Sequence, residues 1–259
     1  MRLALTLAAA LVTVPAAADA QTMPRQARSA TSMAMPEYQA DAALKAAIAS
    51  DARPAADRAR DGFRHPEESL TFWGLSPAMT VVEVQPGAGG WWTAILRPYA
   101  EATGGRYVDA ANLAALEAVE PGSADMILIA RAFHNWARAP GRTDAVLAAA
   151  FKALKPGGVL AVEQHRAAEG LNVADTAPTG YVPESYVIQS AQRAGFTLDG
   201  RSELNANPKD DRDHAFGVWT LPPTRRGTQD GRTLTAAERA EYDAVGESDR
   251  MTLRLRKPA

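Results

Sequence analysis

"VVEVQPGAGGWW", residues 81–92, is the stretch that decides the fold. It begins as a short apolar run, typical of a buried β-strand, and breaks into a glycine-rich turn. Gly87 and Gly89 lack a Cβ, so the backbone there can turn tightly and come close to a ligand. The helix that follows would offer free N–H groups to polar or anionic atoms. An ordinary tight turn between a strand and a helix has the same composition, so both interpretations stay open.

Strands and helices alternate beyond this turn. Apolar runs such as "MILIA" and "VLAV" each follow a helix and indicate a parallel sheet covered on both faces. The last segment, "RMTLRLRKP", alternates apolar and polar residues as an antiparallel or edge strand does. We therefore predict an α/β fold with a doubly wound sheet. The predicted strands are residues 80–84, 106–109, 125–130, 159–163 and 196–202, and the predicted helices are residues 91–100, 110–119, 143–154 and 183–194.

The N-terminal residues predict export. Residues 1–20 carry one early cation, Arg2, then an uncharged apolar run and a small-x-small end, "ADA". This order is that of a signal peptide cleaved near Ala20/Gln21, and it predicts a periplasmic location. A membrane anchor is the alternative, but the apolar run is short for a span of about 20 residues.

Three segments are expected after the signal peptide. Residues 21–37 lack periodicity and predict a disordered linker. Residues 38–75 predict an N-terminal helical cover, and residues 76–259 the α/β domain. Within the cover, the charges of "RPAADRARDGFRH" alternate in sign as on a solvated helix face. The polar stretch "NANPKDDRDH" is interpreted as a solvated loop.

Composition excludes several classes of site and partner. The chain has no cysteine, which rules out disulfides and cysteine-ligated zinc. Its net charge is -2 and it carries no basic stripe, so we expect no nucleic-acid partner. No segment after the signal peptide is long and apolar enough to cross a bilayer. A small molecule is the expected partner.

Two further motifs give the glycine turn a context. Glu83 stands at the end of the strand, where a buried carboxylate is costly without a partner. Downstream, "LKPGGVLAVE" places a Pro-Gly-Gly turn before a buried strand. The combination resembles class I S-adenosylmethionine-dependent methyltransferases over residues 80–196. Glu83, Gly87 and Gly89 match the acid and the last two glycines of that family's first motif, and Gln85 stands in place of its first glycine.

A second resemblance covers more of the chain. From "DRARDGFRHPEESL" to "GESDRMTLRLRKP" the chain is similar to a group of bacterial proteins predicted to be methyltransferases, which often carry signal peptides. It implies an S-adenosylmethionine cofactor and methyl transfer to a small-molecule acceptor. Asp109 fits the place of the family's acid that binds the cofactor ribose. The implied cofactor-binding residues are Glu83, Gln85, Gly87, Gly89, Asp109 and Arg131.

One part of that family's sheet is expected to be missing. The interval between Asp109 and Met126 is long enough for one parallel crossover, which needs about a dozen residues or more, but not for two. The resembling family has one acidic residue that binds the ribose, at the end of its second strand, and another after its third strand. Asp109 cannot fill both positions. We therefore predict a sheet that lacks one strand–helix unit.

Two histidines are the candidate catalytic residues. His134 in "RAFHNW" and His165 in "EQHRA" follow predicted strands and would face the crevice at their carboxyl ends. Either could remove a proton from an oxygen or nitrogen acceptor. The alternative is that His134 caps a turn and His165 pairs with a carboxylate. A metal site of these histidines with Glu163 lacks the helical H-x-x-x-H spacing, and we predict none.

Two other functions stay open. A non-catalytic exported binding protein could keep the fold, since the methyl donor is made in the cytosol. A dinucleotide-binding oxidoreductase would need a third glycine for close packing of helix on strand, and Trp92 stands at that position. The oxidoreductase is therefore disfavoured.

Overall fold

The computed structural model describes residues 40–259. The predicted signal peptide (residues 1–20), the predicted linker (residues 21–37) and the first residues of the predicted helical cover lie outside the described part. The helices are α1 (Ala42–Ala49), α2 (Ala55–Arg58), α3 (Asp61–Arg64), α4 (Pro66–Trp73), α5 (Thr93–Thr103), α6 (Leu113–Glu117), α7 (Phe133–Ala137), α8 (Arg142–Ala153), α9 (Val173–Thr176), α10 (Glu184–Arg193) and α11 (Ala236–Val245). The strands are β1 (Thr80–Val84), β2 (Arg106–Ala110), β3 (Ala124–Ala130), β4 (Leu154–Ala167), β5 (Val182–Pro183), β6 (Thr197–Ser202), β7 (Ala215–Val218), β8 (Thr228–Gln229), β9 (Arg232–Thr233) and β10 (Arg250–Arg256).

The main sheet has the strand order β2-β1-β3-β4-β10-β6. Strands β2, β1, β3 and β4 are parallel, and β10 runs antiparallel between β4 and β6. The chain passes from β1 to β2 on one side and then to β3 on the other, so the strand order reverses at β1. Ligands of open α/β sheets bind outside the carboxyl ends of the strands at such a reversal. The predicted doubly wound α/β fold is confirmed.

The missing strand–helix unit is also confirmed. Between β2 and β3 the chain forms only α6, and β2 is the outermost strand of the sheet within residues 40–259. The helix is shorter than predicted because the Asn112 side chain accepts from the Ala115 amide and caps it.

Two apolar layers cover the sheet. In β3, Ile127 and Ile129 face the layer that contains α6, α8 and α10, while Met126 and Leu128 face the layer that contains α1, α4 and α5. All four side chains are fully buried. Burial on both faces explains why the strand is a continuous apolar run rather than an alternating one.

Two strands differ from their predicted form. β4 begins at Leu154, directly after α8, because the "LKPGG" segment already pairs with β3, where Leu154 lies opposite Ala124. β10 is antiparallel, as predicted, but lies inside the sheet between β4 and β6. Its apolar side chains, Met251, Leu253 and Leu255, join the layer that contains α8.

The interpretation of the charged N-terminal run as a solvated helix face is wrong. Arg53 is 1% exposed and Arg64 is 0% exposed. The Arg53 guanidinium donates to both carboxylate oxygens of Asp61 at 2.8 and 2.7 Å, and Arg64 Nε donates to Glu247 Oε2 at 2.9 Å. A buried charge persists when it is paired and hydrogen-bonded, so the alternating signs of this run reflect internal pairing.

The "NANPKDDRDH" stretch is likewise only partly solvated. Asn205 and Asp210 are each 2% exposed. Asn205 Nδ2 donates to Ser69 Oγ at 3.2 Å and to Thr252 Oγ1 at 3.0 Å. The segment thus ties α4 to β10.

Candidate functional site

A cavity of about 350 Å³ opens at the carboxyl ends of β1, β3 and β4. Gln85 and Gly87 line it after β1, and Arg131 and His134 line it after β3. His165, near the end of β4, lines it as well. Five of the sequence-predicted site residues therefore meet in one space, at the point where the strand order reverses.

The turn after β1 leaves room for a ligand. Gln85 and Gly87 both have positive φ, +50° and +73°. A side chain at the second position would be strained in that conformation, which explains the glycine. Gly89 does not have positive φ, and a Cβ built on it would meet no heavy atom within 4 Å. The space beside Gly89 is therefore open, and a larger side chain would occupy it.

Glu83 lies beneath this turn and has one uncommitted oxygen. It is 1% exposed, and its Oε2 accepts hydrogen bonds from Thr93 Oγ1 at 2.7 Å and Tyr107 OH at 2.8 Å. Burial raises the pKa of this carboxyl, while the two hydroxyl bonds act in the opposite direction. Glu83 Oε1 makes no hydrogen bond within the described residues. It can accept one from a ligand.

Asp109 occupies the carboxyl end of β2, beside β1. In the parallel ladder it lies opposite Glu83, and its side chain is exposed. Glu83, Gly89 and Asp109 are not among the residues that line the cavity. Glu83 and Asp109 pair across β1 and β2, whereas the cavity is lined by residues that follow β1, β3 and β4.

Arg131 has no partner for its charge. It follows β3 with φ of +56°, and its backbone N–H donates to Glu163 O at 2.7 Å. Its Nε is buried without a hydrogen bond, and within residues 40–259 its guanidinium forms no ion pair. Burial lowers the pKa of Arg131, and the Glu163 carboxylate acts in the opposite direction.

The two histidines lie side by side, with ring centroids 6.0 Å apart. Burial first, and then the charge of Arg138, lowers the pKa of His134 to about 4. Burial, the neighbouring His134 and Arg131 hold the pKa of His165 well below its usual value. Both rings are therefore neutral at neutral pH and can accept a proton. The partner of His165 is Ser248, whose Oγ lies 2.6 Å from Nδ1, and not the carboxylate considered from the sequence.

Sequence reasoning missed part of the cavity wall. Arg64, Glu247 and Ser248 line it beside the strand ends, and Trp219 lines another side. Glu247 accepts a hydrogen bond from Arg64, which lies 183 residues away in the sequence. No local sequence motif predicts such a pair. The repeated arginines of residues 53–65 were the one sequence feature that could have indicated charged residues near the site.

A cluster of Asp210, Asp211 and His214 has donor atoms close enough together to suggest a cation site. Asp210 Oδ1, however, already accepts from the Arg212 amide at 2.9 Å and lies 2.8 Å from His214 Nε2. Its Oδ2 accepts from the Asp249 amide at 2.7 Å. Both carboxylate oxygens of Asp210 are therefore already hydrogen-bonded within the protein, and we assign no metal to this cluster.

Comparisons with known proteins give fold-level likeness only. No protein-family model matches the sequence, and no curated protein matches it. Among solved structures, the chain is similar to the (4+2)-cyclase SpnF, with TM-score 0.45 and 17% identity over 82% of this chain and 85% of that chain. It is also similar to a SAM-dependent methyltransferase from Aquifex aeolicus, with TM-score 0.43 and 19% identity over 57% of this chain and 88% of that chain. A SAM-dependent methyltransferase from Archaeoglobus fulgidus gives TM-score 0.44 and 10% identity over 76% of this chain and 97% of that chain. We assign no family to the chain on these likenesses.

Proposed function

We propose that the protein transfers a methyl group from S-adenosylmethionine to a small-molecule acceptor. The observation that carries this proposal is the cavity at the strand reversal, where Gln85 and Gly87 of the glycine turn meet His134 and His165. A glycine turn supplies close backbone approach to a ligand, and the histidines supply neutral bases beside it.

The residues around the turn fit the donor. The open space over Gly89 admits a ligand group that a side chain would exclude. Glu83 Oε1 is uncommitted and can accept a hydrogen bond from it, and Asp109 stands exposed at the neighbouring strand end for the ribose hydroxyls. When bound, S-adenosylmethionine would supply a methyl group on a sulfonium; the acceptor would bond to the methyl carbon as the carbon–sulfur bond breaks, and S-adenosylhomocysteine would leave as a neutral thioether. Most of the protein's contribution to such a reaction is positioning of the two reactants.

His134 and His165 are the candidate bases for the acceptor. Each lines the cavity and each is neutral at neutral pH, because burial disfavours the imidazolium. Their low pKa values make them weak bases. They therefore fit an acceptor that loses its proton only as the new bond forms.

Calorimetric titration with S-adenosylmethionine and S-adenosylhomocysteine tests the proposal. Both ligands should bind the wild-type protein, and Gly89→Val should abolish their binding while the protein stays folded, because the added side chain occupies the ligand space. The matched control is Gly227→Val. That glycine also lacks positive φ and has no heavy atom within 4 Å of a Cβ added to it, but it directly precedes β8 and does not belong to the turn after β1. Absence of binding to the wild-type protein at millimolar ligand would refute the proposal.

An alternative function is favoured by one observation. The sheet ends at β2, so the strand–helix unit that would flank Asp109 is absent from residues 40–259. A non-catalytic exported binding protein would retain the fold without that unit. Binding of a small molecule in the cavity, with no binding of either S-adenosyl compound, would favour this alternative.

Export is part of the proposal. The order of Arg2, an apolar run and the "ADA" end supports cleavage near Ala20/Gln21 and a periplasmic location. Among residues 40–259, no helix has the length and apolar character that a membrane span requires. Fractionation of cells followed by N-terminal sequencing should give a periplasmic chain that begins near Gln21. A cytosolic chain that retains Met1 would overturn the export.

A further inference from the structure

Arg64 is a buried cation with most of its hydrogen-bonding capacity unused. It lines the cavity and is 0% exposed. Its Nε donates to Glu247, but Nη1 and Nη2 are both buried without a hydrogen-bond partner. A guanidinium presents five N–H donors in a fixed fork. Buried donors without partners are costly, so two such nitrogens at a cavity wall point to a ligand that accepts from them.

The position of Arg64 is fixed by its surroundings. Its guanidinium stacks over the Trp91 ring, with Cζ 4.8 Å from the ring centroid, and the Trp91 indole N–H donates to Asp57 O at 3.0 Å. Glu247 holds the Nε side. The unpaired nitrogens therefore belong to a side chain that is already oriented before any ligand binds.

Glu247 cannot satisfy the surrounding cations by itself. Its Oε1 accepts from Arg60 Nε at 2.6 Å, and its Oε2 accepts from Arg64 Nε at 2.9 Å and from Arg250 Nη1 at 3.0 Å. Arg250 also pairs with Glu163 at 2.9 Å. One buried carboxylate thus serves three guanidinium groups, and Arg250 needs a second carboxylate as well.

Counting charges leaves one cation over. The cations are Arg60, Arg64, Arg131 and Arg250, and the carboxylates paired with them are Asp57, Glu163 and Glu247. Of these four cations, Arg131 is the one for which residues 40–259 provide no ion-pair partner. The two cavity histidines add no charge at neutral pH, since burial keeps both rings neutral. Within this set of charges the excess is one cation, which favours an anionic ligand.

Part of the cavity lining is apolar. Val218, Trp219 and Pro222 form this apolar wall, and the Trp219 ring packs edge-on against His134 with centroids 5.7 Å apart. A ligand that spans the cavity would therefore place its anion at the arginines and an apolar or aromatic part at this wall.

We propose that the acceptor is a small carboxylic acid with an apolar or aromatic body, held at its carboxylate by Arg131 and Arg64, and that a separate hydroxyl or amine of the acceptor takes the methyl group and gives its proton to His134 or His165. A carboxylate is planar and singly charged, and its two oxygens match the fork of a guanidinium. That the ligand is a methyl acceptor rests on the proposed methyl transfer. The anion site itself is argued only from the residues that line the cavity. Under this proposal Arg131 binds the acceptor, whereas the resemblance implied that it contacts the cofactor.

Titration with benzoate and with its neutral isostere benzamide tests the site without any S-adenosyl compound. Benzoate should bind the wild-type protein at least about tenfold more tightly than benzamide, because only the carboxylate carries a charge that pairs with Arg131 and with the free nitrogens of Arg64. Arg131→Met should abolish this preference. The variant should fold at least as well as the wild type, since it removes an unpaired, partly buried charge. Arg64→Gln is the second variant and should reduce the preference in the same direction.

Arg193→Gln is the matched control. Arg193 is an arginine whose side chain is 56% exposed and which does not line the cavity, so its loss should leave the benzoate preference unchanged. Equal binding of benzoate and benzamide by the wild type, or a preference that survives Arg131→Met, would overturn the inference. Tighter binding of inorganic phosphate than of benzoate would overturn the assignment of a singly charged carboxylate.

A third titration separates acceptor from donor. S-adenosylhomocysteine carries a carboxylate, and 5′-methylthioadenosine does not. Arg131→Met should bind both as the wild type does. Loss of S-adenosylhomocysteine binding alone would show that the arginines hold the donor's carboxylate, and the inference would fail. If the wild type binds benzoate with the expected preference but neither S-adenosyl compound, the methyl-transfer proposal fails and the carboxylate site stands.

Discussion

His134 couples the cavity to pH. Its pKa lies near 4 in the folded protein because burial and Arg138 disfavour the imidazolium, whereas an unfolded histidine titrates near 6.5. Between these values the unfolded chain binds a proton that the folded chain does not. The stabilisation is therefore fully present above about pH 6.5 and is lost as the pH falls through about 4, and it amounts to on the order of 3 kcal/mol.

The free energy of unfolding, measured by urea denaturation at pH 7 and at pH 4.5, checks this coupling. The wild type should lose stability over this interval, and His134→Asn, which cannot take up the proton, should lose less by on the order of 2–3 kcal/mol. Identical losses in the two proteins would show that His134 titrates normally.

Asp109 offers a second test at the level of one side chain. If it binds the ribose hydroxyls of the donor, Asp109→Ala should weaken S-adenosylhomocysteine binding by about 1–3 kcal/mol in calorimetry, the usual cost of an unpaired hydrogen-bonding group. Glu117→Ala removes an exposed acid from the neighbouring helix α6 and should have no effect. A silent Asp109→Ala would mean that the donor, if bound, does not use this strand end.

Residues that follow parallel strands could be placed from the sequence, and residues that meet by tertiary pairing could not. Gln85, Gly87, Arg131 and His165 converge because the carboxyl ends of parallel strands share one edge, which the strand pattern already implies. Arg64 reaches the same cavity only through a partner 183 residues away, and sequence spacing carries no information on such a contact.

At the scale of elements, one glycine contact fixes the apolar wall of the cavity. Gly217 in β7 has φ of +62°, and a Cβ there would overlap the backbone oxygen of Thr179, which lies in the turn after α9. Val218 and Trp219 follow directly and line the cavity. The position of this wall therefore depends on the absence of a side chain at Gly217.

Gly217→Ala should accordingly displace β7. We expect a cost of about 1–2 kcal/mol for the left-handed backbone and a further 1–3 kcal/mol, roughly, for the overlap, together with weaker benzoate binding. Gly231→Ala is the control, because Gly231 also has a positive φ, +80°, but no heavy atom within 4 Å of an added Cβ. Thermal unfolding of the two variants measures the difference. Equal melting temperatures would show that the backbone contact does not constrain the wall.

The boundaries of the strands show what sequence patterns predict and what they do not. The span of β1 was predicted to the residue, because an apolar run ends at a glycine turn. The length of β4 was not, because the extra residues from Leu154 are set by pairing with Ala124 rather than by their own composition. The place of β10 inside the sheet depends on β6 alongside it, which alternation within "RMTLRLRKP" cannot reveal.

At the scale of the whole molecule, Glu247 joins the N-terminal helices to the sheet. It accepts from Arg64 at the end of α3 and from Arg250 at the start of β10. Its side chain is 5% exposed. Because these partners are distant in sequence, the carboxylate acts as a charged link between the first and last described parts of the chain.

Loss of that charge should destabilise the fold. Glu247→Gln removes the one carboxylate paired with the buried Arg64 and leaves Arg60 and Arg250 with one carboxylate each. We expect a loss of about 3–5 kcal/mol in the free energy of unfolding. Asp144→Asn is the control, since Asp144 is 61% exposed in its ion pair with Arg193 and should cost at most about 1 kcal/mol. Urea denaturation gives both values, and a Glu247→Gln loss no larger than the control's would contradict the link.

The most direct measurement of the central claim is a crystal structure of the protein grown with S-adenosylhomocysteine. We expect the ligand at the carboxyl ends of β1 and β2, with part of it over Gly87 and Gly89 in the space that a Gly89 side chain would fill. Its ribose hydroxyls should lie within hydrogen-bond distance of Asp109. A ligand bound elsewhere, or crystals that stay free of it at saturating concentration, would contradict the claim that this fold binds a methyl donor.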